Sequence, residues 1–364
     1  MAYTTIDDPT QFFNTIIWSG DSSSPETLTV GFQPDWIWGK LRNTAYSHQL
    51  YDSVRGFGSD KDLQASSDAA EGAGTADQYG YISGTTSTGF TATKGSDGGA
   101  DGYGYWNESG RTYVAWNWKA GTTTGISGSP SITPSAYSFN QTPGFSIISY
   151  TGNGSVGATI PHGLGVAPAV IIFKNRDASV KWAVYHHKNT SAPETDHLQL
   201  NDTTATSDDD SILNDTAPGS SVITMKTSSS VNSNSVNYVA YCFSEIKGYS
   251  KHGSYTGNGD ADGTFVYTGF RPAWIMIKKS SGTENWSMYD AKRNVNGTSD
   301  TLPLNADNSS VESGNTGKNM DILSNGVKMK TSNGELNGSG DTYIYMAFAE
   351  SPFVNSNGVP TNAR

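Results

Sequence analysis

Six histidines, His48, His162, His186, His187, His197 and His252, are the side chains of this sequence best suited to proton transfer or metal binding. Nothing around them completes a catalytic set. No Gly-x-Ser-x-Gly elbow is present, and the nearest run, Gly125-Ile126-Ser127-Gly128, lacks a strand–turn–helix context. His186 and His187 point to opposite faces if they lie in a strand, so only one of them could join His197 at a metal. Asp208-Asp209-Asp210 reads as a solvated loop tip, since no Asp-x-Asp-x-Asp-Gly calcium loop with a closing Glu occurs. Asp97 and Asp101 sit among glycines in a segment that reads either as a flexible insertion or as a cation loop. Glu245 and Glu350 end matching strand-like runs, and that equivalence argues for strand-end structure rather than for a glycosidase pair. The single cysteine, Cys242, lies between Tyr241 and Phe243 and reads as a small buried hydrophobe. The sequence therefore predicts no enzyme, no cofactor and no metal site.

Aromatic display is the remaining chemistry. Tyr79, Tyr81, Tyr103, Tyr105 and Trp106 cluster in and before a Gly/Asp/Tyr-rich insertion between Gly95 and Arg111. Rings carried on such loops stack on sugars or anchor protein contacts, so these five are the candidate ligand-binding residues. Their alternative is packing against the body of the fold.

The elements that position these residues recur along the chain. Gly31-Phe32-Gln33-Pro34-Asp35-Trp36-Ile37 returns as Gly269-Phe270-Arg271-Pro272-Ala273-Trp274-Ile275, with a looser copy at Gly165-Val166-Ala167-Pro168-Ala169-Val170-Ile171. A lysine follows each (Lys40, Lys174, Lys278), and each copy closes on a strand-like run beginning at Tyr113, Tyr238 or Tyr343. The prolines are about 134 and 104 residues apart, and the closing tyrosines about 125 and 105. A unit of about 105 residues is domain-sized. The reading is an all-β chain of tandem β-sandwich or jelly-roll-like domains from a threefold internal repeat: residues 1–120 with the insertion, a linker at 121–143, residues 144–249, residues 250–353, and a tail at 354–364. Each copy is expected to bury its own core. The second and third should form a rigid tandem, and the linker should leave the first free to pivot.

Composition agrees with strands and turns. The 364 residues include 41 glycines, 11% aromatics and only 16% charged residues. Helical stripes and coiled-coil heptads are absent. A net charge of −11 disfavours a nucleic-acid partner, because phosphate binding needs a basic face. No run approaches the roughly 18 apolar residues of a membrane span. The N-terminus lacks the basic and apolar regions of a signal peptide.

Gly144-Phe145-Ser146-Ile147-Ile148-Ser149-Tyr150-Thr151-Gly152-Asn153-Gly154, then Pro161-His162-Gly163-Leu164-Gly165 and Lys174-Asn175-Arg176, resembles repeat domains of virion proteins from marine tailed phages, cyanophages and pelagiphages among them. Residues 269–278 and Ala347-Phe348-Ala349-Glu350-Ser351-Pro352-Phe353 carry the same resemblance, which is strongest from 144 to 353. It implies a non-enzymatic virion structural protein, foremost a tail-fibre or receptor-binding appendage. The alternatives are a capsid or neck decoration, or a carbohydrate-binding or polysaccharide-depolymerising module. The implied partners are other virion proteins, further copies in a homo-oligomer (a trimer being the expected state) and a host surface glycan. The implied location is the virion, after synthesis in a host cytoplasm and release by lysis. No catalytic residue comes with the resemblance. The chain departs from long fibres in having no coiled-coil or collagen-like stretch.

Overall fold

The computed structural model describes residues 3–294, 301–314 and 317–361. Within them the chain is almost entirely antiparallel β-structure. Three main sheets carry the architecture. The first pairs Phe13–Ser19, Thr112–Trp118, Trp36–Leu41 and Gln49–Asp52, in that spatial order. The second centres on Val170–Asn175 and Asn237–Phe243, flanked by Phe145–Thr151 on one side and Ala183–His186 on the other. The third centres on Phe270–Lys279 and Thr342–Pro352, flanked by Ser250–Thr256 and Trp286–Asp290.

The strands that carry the recurring phrases pair in register. Trp38 stands opposite Leu50 and Trp116; Ile172 opposite Val184 and Tyr241; Met276 opposite Met288 and Met346. Tyr113, Tyr238 and Tyr343 each turn a hydroxyl onto their own closing loop. They accept from the amides of Glu108, Ser233 and Gly338 and donate to the carbonyls of Gly104, Ser229 and Gly334.

A smaller sheet covers the outer face of each main sheet, and period-two alternation explains why both faces are apolar. In the first unit, Ile37, Tyr51 and Ala115 face outward onto Leu28, Ile82 and Phe90. In the second, Ile171 and Ala240 face Ile160, Ile223 and Met225. In the third, Ile275 and Ile277 face Val266, Val327 and Met329. Each unit is thus a sandwich with a core of its own. The inner faces do something the sequence reading did not anticipate: all three meet in one further core. Trp36, Trp38, Trp116 and Trp118 from the first sheet pack there with Tyr241 and Phe243 from the second and with Trp274 and Phe348 from the third. The first unit is therefore not free to pivot. It supplies four of the indoles that close the shared core.

The expected linker is also more structured than its composition suggests. Ala136–Asn140 joins the second sheet beside Phe145–Thr151, and Ile132 is buried. Tyr137 and Phe139 flank Ser138, whose hydroxyl donates to Asp35 of the first unit at 3.1 Å. Local composition hid this because the strand is only five residues long, set in a Ser/Thr/Pro/Gly-rich run, and gains its order by hairpin pairing with Phe145–Thr151.

Polar contacts close each seam. Lys174 donates to the carbonyls of Asp68 and Val180 at 2.9 Å each, and the indole of Trp182 donates to Ser67 at 3.0 Å. Lys278 donates to Thr203 and Glu284, and Trp286 to Gln199, across the next seam. At the third, His48 sits opposite the Asn305 carbonyl at 2.9 Å and Arg42 pairs with Glu312 at 2.6 Å. Two fully buried ion pairs, Asp52–Arg55 and Asp290–Arg293, are engaged from neighbouring sheets, by the Tyr241 hydroxyl at 2.7 Å and the Trp116 indole at 3.1 Å.

These contacts predict two outcomes. Arg293→Ala leaves Asp290 charged and buried, and should cost about 3–5 kcal/mol in urea unfolding, against under 1 kcal/mol for the exposed pair partner Lys181→Ala. Burial, reinforced by the Arg293 guanidinium and opposed by Glu312, lowers Lys40 from 10.5 to about 7. The unfolded chain then binds more protons than the folded one above that value, so stability should rise between pH 7 and 8.5. The urea midpoint measured across that window should increase, and increase less in Lys40→Met.

Candidate functional site

Two of the five aromatic residues singled out in the sequence are buried and cannot belong to a display surface. Trp106 is 1% exposed and Tyr105 is 6% exposed. Trp106 lies parallel to Trp18, with ring centroids 6.5 Å apart, and packs edge-on against Phe90 and Tyr51. Gly39 makes room for it: a Cβ there would lie 2.4 Å from the indole. The Tyr105 hydroxyl donates to the Gly74 carbonyl at 2.8 Å. Tyr79, Tyr81 and Tyr103 are half-buried, and Lys94 lies 5.0 Å from the Tyr103 ring centre. The insertion folds back on itself through Gly95 N–H to Gly102 O and roofs the outer face of the first sheet. Core packing accounts for Trp106 and Tyr105.

Most of the histidines are buried as well, although neither ring nitrogen of His252 nor either carboxylate oxygen of Asp62 has a hydrogen-bond partner. His48, His162, His186 and His252 are buried, and burial lowers the proton affinity of each. No group of three or more His, Cys, Asp or Glu side chains among the described residues is placed to hold a metal ion. Asp210 pairs with Lys226, Asp209 caps Ser211, and Glu350 pairs with Arg271 at 2.6 Å. Burial raises the Cys242 thiol far from its ionised form.

Exposed rings occur elsewhere. Among the described residues only Phe265 (43%) and Tyr267 (48%) are exposed aromatics, and both line one groove. They flank Val266 in the short strand Phe265–Tyr267. Val266 points into the outer core of the third unit, so its two neighbours point out together. The groove encloses about 340 Å³ and is also lined by Lys188, Glu245, Lys251 and Tyr345. Gly253 lets the Tyr345 hydroxyl approach its floor, where a Cβ would stand 2.5 Å away. A neighbouring hollow of about 390 Å³ shares Lys188, Ser254 and Tyr255 and continues to Thr190 and Thr342. The site therefore straddles the seam between the second and third units.

Its electrostatics oppose those of the chain as a whole. Lys251 lies 5.4 Å from the Tyr267 ring centre. Beside it, Lys247 lies 4.7 Å from the Tyr3 ring centre, and the Tyr3 and Tyr267 hydroxyls are 3.3 Å apart. Lys188 and Lys251 line the groove with one carboxylate, Glu245, which faces His187 at 3.8 Å and accepts the His252 amide. This arrangement can hold a flat or ring-shaped ligand carrying negative charge.

A second hollow, of about 580 Å³, lies between the first unit and Ser135–Ser138. Its one carboxylate, Asp35, is consumed by Ser53, Ser138 and the Ala120 amide, so it serves as a tie between units.

Sequence reasoning missed Phe265 and Tyr267 because a short aromatic strand looks like core. The available signal was the Phe-Val-Tyr alternation, which leaves two rings on the face opposite the valine. Two substitutions separate the assignments. Trp106→Ala should lose about 3–5 kcal/mol of stability, and Tyr267→Ala should stay within about 0.5–1 kcal/mol of the parent in urea unfolding. The reverse order would reinstate the insertion as the display surface.

No curated protein matches this sequence, and no solved structure matches it. One family does, a domain of unknown function designated DUF7483, over residues 8–352. That span takes in all three main sheets, the shared core and the groove, and the chain belongs to this family.

Proposed function

We propose that this protein is a non-enzymatic structural component of a tailed-phage virion, an attachment appendage of the tail-fibre or receptor-binding kind. The observation that carries the reading is the pairing of a rigid three-sheet body with an exposed aromatic–lysine groove. The body buries five of its six histidines and most of its aromatic rings. The groove presents rings and cations without the paired groups that acid–base or nucleophilic chemistry requires. The resemblance of residues 144–353 to virion repeat domains supports the same reading.

We further propose that the three units descend from one segment of about 105 residues. Supporting this, Pro34, Pro168 and Pro272 each stand two residues before an inner-face position of a central strand. The partners we assign are other virion proteins, further copies of this chain and a surface ligand on the host. One chain already gathers three sheets around one core, so assembly of copies adds symmetry to a body that is complete within a single chain.

Immunogold labelling of intact particles tests the reading. Label at the tail or its tip is the expected result. Label spread over the capsid would reassign the protein as a decoration, and particles free of label would remove it from the virion.

A further inference from the structure

The chemistry of the groove narrows its ligand further. We infer that the surface formed by Phe265, Tyr267, Lys188, Lys247 and Lys251 is a binding site for an acidic carbohydrate, a chain of sugars bearing carboxylates. The inference rests on the attachment reading above and adds to it a place and a ligand class.

Three observations lead there. First, Phe265 and Tyr267 are the two exposed rings among the described residues, and they occupy positions i and i+2 of one strand. Their Cα atoms lie about 7 Å apart, so the two rings stand side by side on one face of the strand. An exposed ring offers its face to the C–H side of a sugar, an apolar patch with polar edges. Their exposure has no folding role, because Val266 makes the inward contact of this strand.

Second, the cations stand beside those rings. Lys251 is over Tyr267 and Lys247 is over Tyr3, which touches Tyr267 through its hydroxyl. Lys188 reaches the groove from the second unit. In a chain of net charge −11, a groove lined by two lysines and one glutamate, with Lys247 held over Tyr3 beside it, is locally positive. A carboxylate entering from solvent meets ammonium groups held against ring faces, where desolvation strengthens the attraction. A neutral sugar would gain the rings alone.

Third, the hollow beyond is polar. Ser254, Thr190 and Thr342 line the continuation of about 390 Å³. Hydroxyl donors and acceptors suit sugar hydroxyls, whereas an aliphatic tail or a greasy peptide anchor would leave them unpaired. A run of Asp and Glu shares the charge but offers no flat C–H face to lie on Phe265 and Tyr267, so the pair of exposed aromatics favours the sugar.

The test uses the full chain and two defined probes, tetragalacturonate and the uncharged maltotetraose, titrated by isothermal calorimetry at low and at physiological salt. Tetragalacturonate should bind and maltotetraose should bind at least tenfold more weakly. Affinity for the acid should fall about tenfold in Tyr267→Ala and in Lys251→Ala, and should weaken with salt. All the substituted positions lie at the surface, and circular dichroism of each variant confirms that loss of binding is not loss of fold. Absence of tetragalacturonate binding overturns the inference, as does equal binding of both probes or binding indifferent to Tyr267→Ala and Lys251→Ala. Tighter binding of a tetraglutamate peptide, lost in the same variants, would overturn it in favour of an acidic polypeptide. Each of these results can occur whether or not particles label with antibody, so failure here is distinct from failure of the virion assignment.

Discussion

Three aromatic contacts hold this molecule together, and each joins a different pair of sheets. Trp36 stacks on Tyr241 with centroids 4.6 Å apart, joining the first sheet to the second. Phe243 meets Phe348 at 5.8 Å, joining the second to the third. Trp118 meets Trp274 edge-on at 5.6 Å, joining the third to the first. Each ring is buried almost completely, which contributes roughly 1.5–3 kcal/mol per side chain on area grounds. The inner face of a sheet built from such residues cannot be left in water, so no unit is complete without the other two.

The seams follow from that arrangement. Once three sheets surround one core, the ends of their central strands face loops of the neighbouring unit. A lysine placed there finds backbone carbonyls rather than solvent, as Lys174 and Lys278 do. The third seam differs. Lys40 donates to its own neighbour Leu41, and the contact between units passes instead to Arg42, Glu312 and His48. The second unit likewise has His186 and Asn189 where the others have a buried Asp–Arg pair, and it meets the third through the Tyr345 carbonyl at 3.1 Å. The units thus keep a common frame while each seam uses its own polar chemistry. One consequence is a groove unique to the boundary of the second and third units, where the connection is short and Lys247 and Lys251 fall beside the exposed strand.

Much of the fold is legible in the residues. Alternation of Trp36 and Trp38 against Ile37 announces a strand with two apolar faces, and the structure places those faces in two different cores. The recurring Pro, Lys and Tyr positions announce corresponding strands. What the sequence withholds is where the inner faces go. A tryptophan-rich stripe reads the same whether it closes a private core or a shared one, because periodicity reports burial and not the identity of the partner. The same limit explains Trp106. Its neighbourhood of Gly, Asp and Tyr resembles a display loop, and only the missing Cβ of Gly39, a residue far away in sequence, reveals the slot that receives it. Phe265 and Tyr267 show the converse: a three-residue aromatic strand resembles core until its one inward residue is known.

The central claim is that three sandwiches form one cooperative body through a shared core. Differential scanning calorimetry of the intact chain tests this most directly. A single transition whose van't Hoff and calorimetric enthalpies agree is the expected result. Separate transitions, or a calorimetric enthalpy two to three times the van't Hoff value, would show units that unfold independently and would contradict it.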